Sequence, residues 1–131
     1  MLMTHNNDAR VSIILAEDDT EVRRSLQLLL LGQGLDVRSH ASSAGVLADP
    51  SIQDAACLIA DYRMPELDGI GLLLALRNLG WKGRSALITG YHSPAVEEQA
   101  LAAGYDVVLD KPLRKHAFMD AVSRLAAPKI D

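Results

Sequence analysis

Cysteine occurs once in the 131-residue chain, which excludes a disulfide framework and fits a reducing compartment. Long apolar runs are also missing: the leucine run Leu28–Leu31 falls far short of the ~20 residues that span a bilayer. The polar start, Met1 to Arg10, lacks the apolar core of a secretory signal. Basic residues are not in excess. Thirteen Lys and Arg against seventeen Asp and Glu leave a net charge of −4, which argues against a surface built to grip nucleic acid. No repeat, low-complexity tract or internal linker is visible. These absences predict a cytoplasmic globule with no direct business at a membrane or on nucleic acid.

What is present is ordinary globular material: 49% apolar, 23% charged, with 9 Gly and 5 Pro. At ~150 residues per domain, residues 1–131 make a single domain. A chain of this size buries roughly 68% of its unfolded surface, enough for a real core.

Short apolar runs alternate with longer amphipathic ones along the whole chain. Val11 to Ala16 and Cys57 to Asp61 read as strands buried on both faces, each stopping at an acid. Leu35 to His40 reads as a more polar edge strand, and Ala86 to Thr89 and Asp106 to Leu109 as the fourth and fifth strands. Helices are expected from Thr20 to about Gln33 with Gly34 as the stop, and from Ser42 or Ser43 to about Asp49-Pro50. Further helices are expected over Gly69–Leu79, over Pro94–Ala103 with the proline in its first turn, and from about Arg114 to Leu125. Residues 1–9 and 127–131 read as tails around an ordered core of about 11–126. Repeated βα units predict an α/β fold, a doubly wound parallel sheet covered by helices on both faces.

In such sheets the site lies beyond the carboxyl ends of the strands. The polar residues obey that rule. Glu17, Asp18 and Asp19 follow the first strand, Asp61 ends the third, Thr89 ends the fourth and Lys111 follows the fifth. Carboxylates 4–5 Å apart repel by ~3–4 kcal/mol per pair at an effective dielectric of ~20, so such a rim calls for a cation. Hard oxygen donors without nearby His or Cys select Mg²⁺ or Mn²⁺. A divalent ion, an ammonium at Lys111 and a hydroxyl at Thr89 also suit the three oxygens of a phosphoryl group. Asp61 would then be an in-line nucleophile that forms an aspartyl phosphate.

The segments Ile13-Ile-Leu-Ala-Glu17-Asp18-Asp19, Asp61-Tyr-Arg-Met64-Pro65-Glu-Leu-Asp68-Gly69, Leu87-Ile-Thr89-Gly90 and Asp110-Lys111-Pro112 resemble the receiver domain of two-component response regulators. The resemblance covers about residues 11–126 and implies a flavodoxin-like (βα)5 fold with sheet order 2-1-3-4-5. By position it implies that Asp61 is the phosphoacceptor and that Glu17 and Asp18 hold Mg²⁺, Asp18 directly and Glu17 through water. The backbone carbonyl of Arg63 would complete the ligands with Asp61. Thr89 would be the switch hydroxyl, Lys111 the phosphoryl contact, and the Lys111-Pro112 bond cis. A histidine kinase or His-containing phosphotransfer protein would supply the phosphoryl group, which self-catalysed hydrolysis would remove. The resemblance therefore implies a switch, not an enzyme acting on a separate substrate. A protein partner would read the surface around the fourth and fifth strands; a homodimer is one possibility.

Three positions stand out against the family pattern. Val108 stands where an aromatic switch residue is usual, three before Lys111, and it cannot swing between buried and exposed. Arg63 and Tyr91 occupy the positions that tune hydrolysis, and Tyr91 is also a candidate substitute for the missing aromatic. The family's transcription factors continue into an output domain after the fifth helix, which leaves a stand-alone receiver or a piece of a larger protein.

Plainer roles compete. Acids ahead of a helix serve as caps, and Asp19 is expected to do only that. Asp61 could form an Asx turn, Thr89 be a loop hydroxyl and Lys111 be solvated. His5, His40, His92 and His116 show no ligand spacing and no evident partner, and Cys57 is expected in the core. Met64-Pro65 shapes a loop, Gly69 relieves the turn after it, and Arg114-Lys115 opens the last helix in solvent. Three rival functions are weaker. A haloacid-dehalogenase-type phosphatase wants Asp-x-Asp, against Asp61-Tyr62-Arg63 here. A nucleotide or flavin module wants a Gly-rich loop after the first strand, where Glu17-Asp18-Asp19 would repel phosphate. A receiver that works without phosphorylation has no need of the full set of acids, Thr and Lys.

Overall fold

The computed structural model describes residues 10–127. Five strands, β1 (Ser12–Ala16), β2 (Asp36–His40), β3 (Cys57–Asp61), β4 (Arg84–Thr89) and β5 (Val107–Asp110), form one parallel sheet in the order β2-β1-β3-β4-β5. The helices are α1 (Thr20–Gly32), α2 (Ser43–Leu47), α3 (Gly69–Asn78), α4 (Pro94–Ala103) and α5 (Lys115–Ala126). Among the described residues no helix is long and apolar enough to cross a membrane. The expected tails and His5 lie outside the described residues, except Ala127, the residue that follows α5.

Successive strand side chains point to opposite faces, so each buried strand feeds two cores. Ile14, Leu58 and Leu87 meet Leu72, Leu73 and Leu76 of α3 on one face. On the other, Ile13, Leu15, Ile59 and Ile88 meet Leu26 and Leu30 of α1 with Phe118, Val122 and Leu125 of α5. Each such leucine or isoleucine contributes about 1.5–3 kcal/mol by leaving water. Cys57 is buried as expected, its thiol donating to the Leu125 carbonyl at 3.2 Å.

Caps place the helix starts. Asp19 Oδ1 accepts from the amides of Glu21 and Val22, Ser42 Oγ from Gly45, Asp68 Oδ1 from Gly71 and Ser93 Oγ from Val96. Asp19 is thus a cap. Gly34, with φ of 80°, ends α1 as the left-handed residue of a Schellman turn: its amide donates to Leu31 and that of Leu35 to Leu30.

Most element ends shift by a residue or two, β4 and β5 among them. β4 begins at Arg84, ahead of the expected Ala86, because its pairing with β3 starts there, Arg84 against Cys57 and Ser85 against Leu58. Asp106 lies outside β5, its side chain accepting from the Ser85 amide, and the strand runs one residue further, to Asp110, which pairs with Thr89. A 3-10 turn at Pro50–Asp54 follows α2 where no element was expected, organised by Asp49 on the amide of Ser51. Gly69 has a different role from the one its sequence suggests. Glu66, not Gly69, carries the positive φ of this loop, whereas a Cβ on Gly69 would lie 2.5 Å from the Asp61 carbonyl oxygen.

Candidate functional site

The parallel register brings four strand ends to one edge. Ala16 pairs with Ala60, Asp61 with Ile88 and Thr89 with Asp110. The ladder continues past the strands: Glu17 N–H donates to His40 O, Tyr62 N–H to Ile88 O, and Lys111 N–H to Thr89 O. Residues after each strand are therefore held by backbone bonds, not by loop chance. Gly69 lets the start of α3 close against the end of β3, its amide on Tyr62 O and its carbonyl accepting from the buried Tyr105 hydroxyl.

At this edge Glu17 is fully buried, Asp61 is 6% exposed and Thr89 1% exposed, while Asp18 stands in solvent. Glu17, Asp18 and Asp61 each offer a carboxylate oxygen within 4.8 Å of the others. Lys111 Nζ lies 3.1 Å from Asp61 Oδ1 and 3.2 Å from Glu17 Oε1. The rim expected from sequence is assembled, with the ammonium between the two buried acids. The Lys111-Pro112 bond is cis.

Burial governs the protonation of the cluster. It pushes Glu17 up to about 7; the Asp19 amide pulls the other way, the Asp61 charge adds to the rise and Lys111 reduces it. Burial likewise raises Asp61, against the hydrogen bond and charge of Lys111. For Lys111 burial opposes the ammonium, but Asp61 and Glu17 outweigh it and the net direction is upward. One ammonium does not balance three carboxylates. Glu17 Oε1 is moreover buried without a hydrogen-bond partner, facing the ammonium only as an ion pair. A buried, under-satisfied oxygen among hard anionic donors fits a divalent cation such as Mg²⁺ or Mn²⁺.

Thr89 Oγ1 accepts from the Tyr91 amide at 2.8 Å, which leaves the hydroxyl proton to donate. Arg63, Tyr62, Met64, Pro65, Asp18 and Asp68 line a cleft of about 350 Å³ beside the acids. The Arg63 guanidinium stacks on the Tyr91 ring, 3.7 Å from its centroid, and joins the loops after β3 and β4. Val108 is half-buried against the α3 side of the sheet, with no aromatic ring to swing.

Sequence reasoning missed two sets of contacts. Arg23 of α1 reaches back to the carbonyls of Glu17 (2.8 Å) and Asp18 (3.4 Å) and braces the acidic segment. Its position one turn inside a capped helix was the available signal. His40 and His92 also have partners that the sequence does not announce. His40 pairs with Asp49 at 2.8 Å, and His92 contacts both Glu97 and Asp110. No periodicity announces such pairs, because each depends on a loop closing against another element.

A family model for the response regulator receiver domain matches residues 13–123. The transcriptional regulatory protein FixJ of Azorhizobium caulinodans is 34% identical over 106 residues, 81% of this chain and 50% of that protein. The response regulator protein TmoT of Ectopseudomonas mendocina is 30% identical over 118 residues, 90% of this chain and 54% of that protein. The chain spans about half the length of these relatives. The solved structure of chemotaxis protein CheY4 of Vibrio cholerae superposes with a TM-score of 0.84 at 21% identity, covering 89% and 99% of the two chains, a likeness of fold. A parallel sheet of order 2-1-3-4-5 with an acid cluster and a lysine at its carboxyl edge, matched over nearly its whole length, makes this chain a member of the response regulator receiver domain family.

Proposed function

We propose that this chain is a phosphoacceptor switch in which Asp61 takes a phosphoryl group from a histidine kinase or a His-containing phosphotransfer protein. One observation carries the proposal: Lys111 Nζ stands 3.1 Å from Asp61 Oδ1 where the Glu17, Asp18 and Asp61 oxygens converge within 4.8 Å. Glu17, Asp18, Asp61 and the Arg63 carbonyl would hold Mg²⁺ or Mn²⁺, whose charge would offset that of the incoming phosphoryl oxygens.

The rest of the chemistry belongs to the chain. An Asp61 carboxylate oxygen forms the new P–O bond as the P–N bond of the donor phosphohistidine breaks, and the imidazole nitrogen keeps the electron pair. Lys111 then serves a phosphoryl oxygen in place of the Asp61 carboxylate, and the Thr89 hydroxyl donates to another. Attack of water on phosphorus later releases inorganic phosphate and restores the Asp61 carboxylate. No separate substrate is turned over, so the chain is a switch and not an enzyme in the usual sense. It works in the cytoplasm through protein contacts, by shifting the balance between arrangements of the surface around β4 and β5.

The test is intact-mass analysis after incubation with Mg²⁺ and acetyl phosphate. A phosphoryl adduct on the parent, absent from Asp61→Asn and from protein treated with chelator, supports the proposal. Turnover of phosphomonoesters without a stable adduct would favour a phosphatase instead.

A further inference from the structure

Two adjacent side chains of the loop between β4 and α4 reach towards opposite neighbours. Tyr91 stacks with Arg63 after β3. His92 turns the other way, Nδ1 to Asp110 at the end of β5 and Nε2 to Glu97 in the first turn of α4. Both ring nitrogens are engaged, and the partners come from two different elements. Asp110 directly precedes Lys111, and the Lys111 amide donates to Thr89 O at 2.8 Å. The imidazole thus closes a ring of contacts containing Thr89, the loop, the start of α4 and the end of β5.

We infer that His92 is a positioning residue that ties the Thr89 loop to the Asp110–Lys111 end of β5 and to α4, so that these three segments move together. This rests on the proposed function, in which Thr89 and Lys111 both contact the phosphoryl group. It also supplies what Val108 does not: a route from the hydroxyl at Thr89 to the α4–β5 surface without an aromatic swing.

The charged groups facing His92 are Glu97 of α4 and Asp110 of β5, with Glu98 lining the same groove. The side chains are partly solvated, so each contact alone is weak; the bridging geometry sets the tie apart from a surface pair. The hydrogen bond to Glu97 comes first among the influences that raise the imidazole above its ordinary value; slight burial opposes it, and Asp110 adds to the rise. The tie is therefore firm where the imidazole is protonated and both carboxylates are ionised, and it slackens as pH rises through the imidazole's titration.

Amide NMR of the full chain tests this in two arms, with His92→Gln beside the parent. In the unphosphorylated parent, the amides of Glu97 and Asp110 should titrate together with one midpoint above ~6.5, and that titration should vanish in His92→Gln. A midpoint at ~6.5 with those amides unmoved marks a free surface imidazole and overturns the inference. In the second arm, acetyl phosphate and Mg²⁺ are added and the adduct is checked by mass. The parent midpoint should stay above ~6.5, and His92→Gln should keep its adduct while losing most of the α4–β5 shift changes. A full α4–β5 response in His92→Gln overturns the inference too. Failure of the parent to form any adduct would sink the receiver function instead, with the first arm still deciding whether the tie exists.

Discussion

Arg63 and Tyr91 form a cation–π stack, the guanidinium 3.7 Å from the ring centroid, and the contact spans the two loops that flank Asp61. Tyr91 is 57% exposed and Arg63 is exposed, so the stack contributes only about 0.5–1 kcal/mol to stability. Its consequence lies in access. If Asp61 is the acceptor as proposed, a guanidinium and a phenol ring on its flanking loops would narrow water's approach to the phosphoryl group. Replacing both with Ala should speed loss of the phosphoryl group several-fold, followed as decay of the mass adduct after donor removal. An unchanged or slower decay would contradict this.

Divalent ions should stabilise the chain through the acid cluster. Mg²⁺ at ten times its dissociation constant should add about 1.4 kcal/mol to unfolding free energy by mass action. Asp18→Ala removes the exposed member of the three converging carboxylates and should flatten that response, read by urea unfolding with and without the ion. Equal stabilisation of parent and variant would place the ion elsewhere.

Gly69→Ala should damage the site from behind. The added Cβ would sit 2.5 Å from the Asp61 carbonyl oxygen and 2.7 Å from Leu87 Cδ1, and the backbone contact cannot be relieved by a rotamer change. Overpacking of this kind costs about 1–3 kcal/mol. A lower urea midpoint together with slower adduct formation is the expected pair of results.

Asp49 links the chain's stability to acid. The hydroxyl and amide of Ser51, then His40, hold its carboxyl down to about 2, below the ordinary 3.8. A depressed acid stabilises the fold above its unfolded pKa and loses that contribution as pH falls through the folded one. Asp49→Ala should therefore cost about 0.5–2 kcal/mol at neutral pH, as lost caps do. The gap between parent and variant should close between about pH 4 and pH 2. A gap constant across that window in urea titrations would show that the carboxylate's charge is not what matters.

The histidines show why part of the site was illegible in the sequence. His40 lies nine positions from Asp49 and His92 eighteen from Asp110, and nothing in the local pattern marks either pair. By contrast Asp61, Thr89 and Lys111 were legible, since each interrupts or follows an apolar strand run where parallel α/β sheets put their sites.

By itself the sequence determined the kinds and order of the five strands and five helices: period-2 and period-3.6 apolar patterns, a cap at Asp19 and another at Ser42 or Ser43, and polar residues at strand ends. Those features act over a few residues, so a single chain displays them. Only the tertiary structure decided that Glu17 is buried while Asp18 is exposed, that Lys111 meets both Glu17 and Asp61, and that Arg23, Arg63 and His92 have the partners they do. Such contacts join segments brought together by helical crossovers, and their distances depend on strand order and register, which no local pattern encodes.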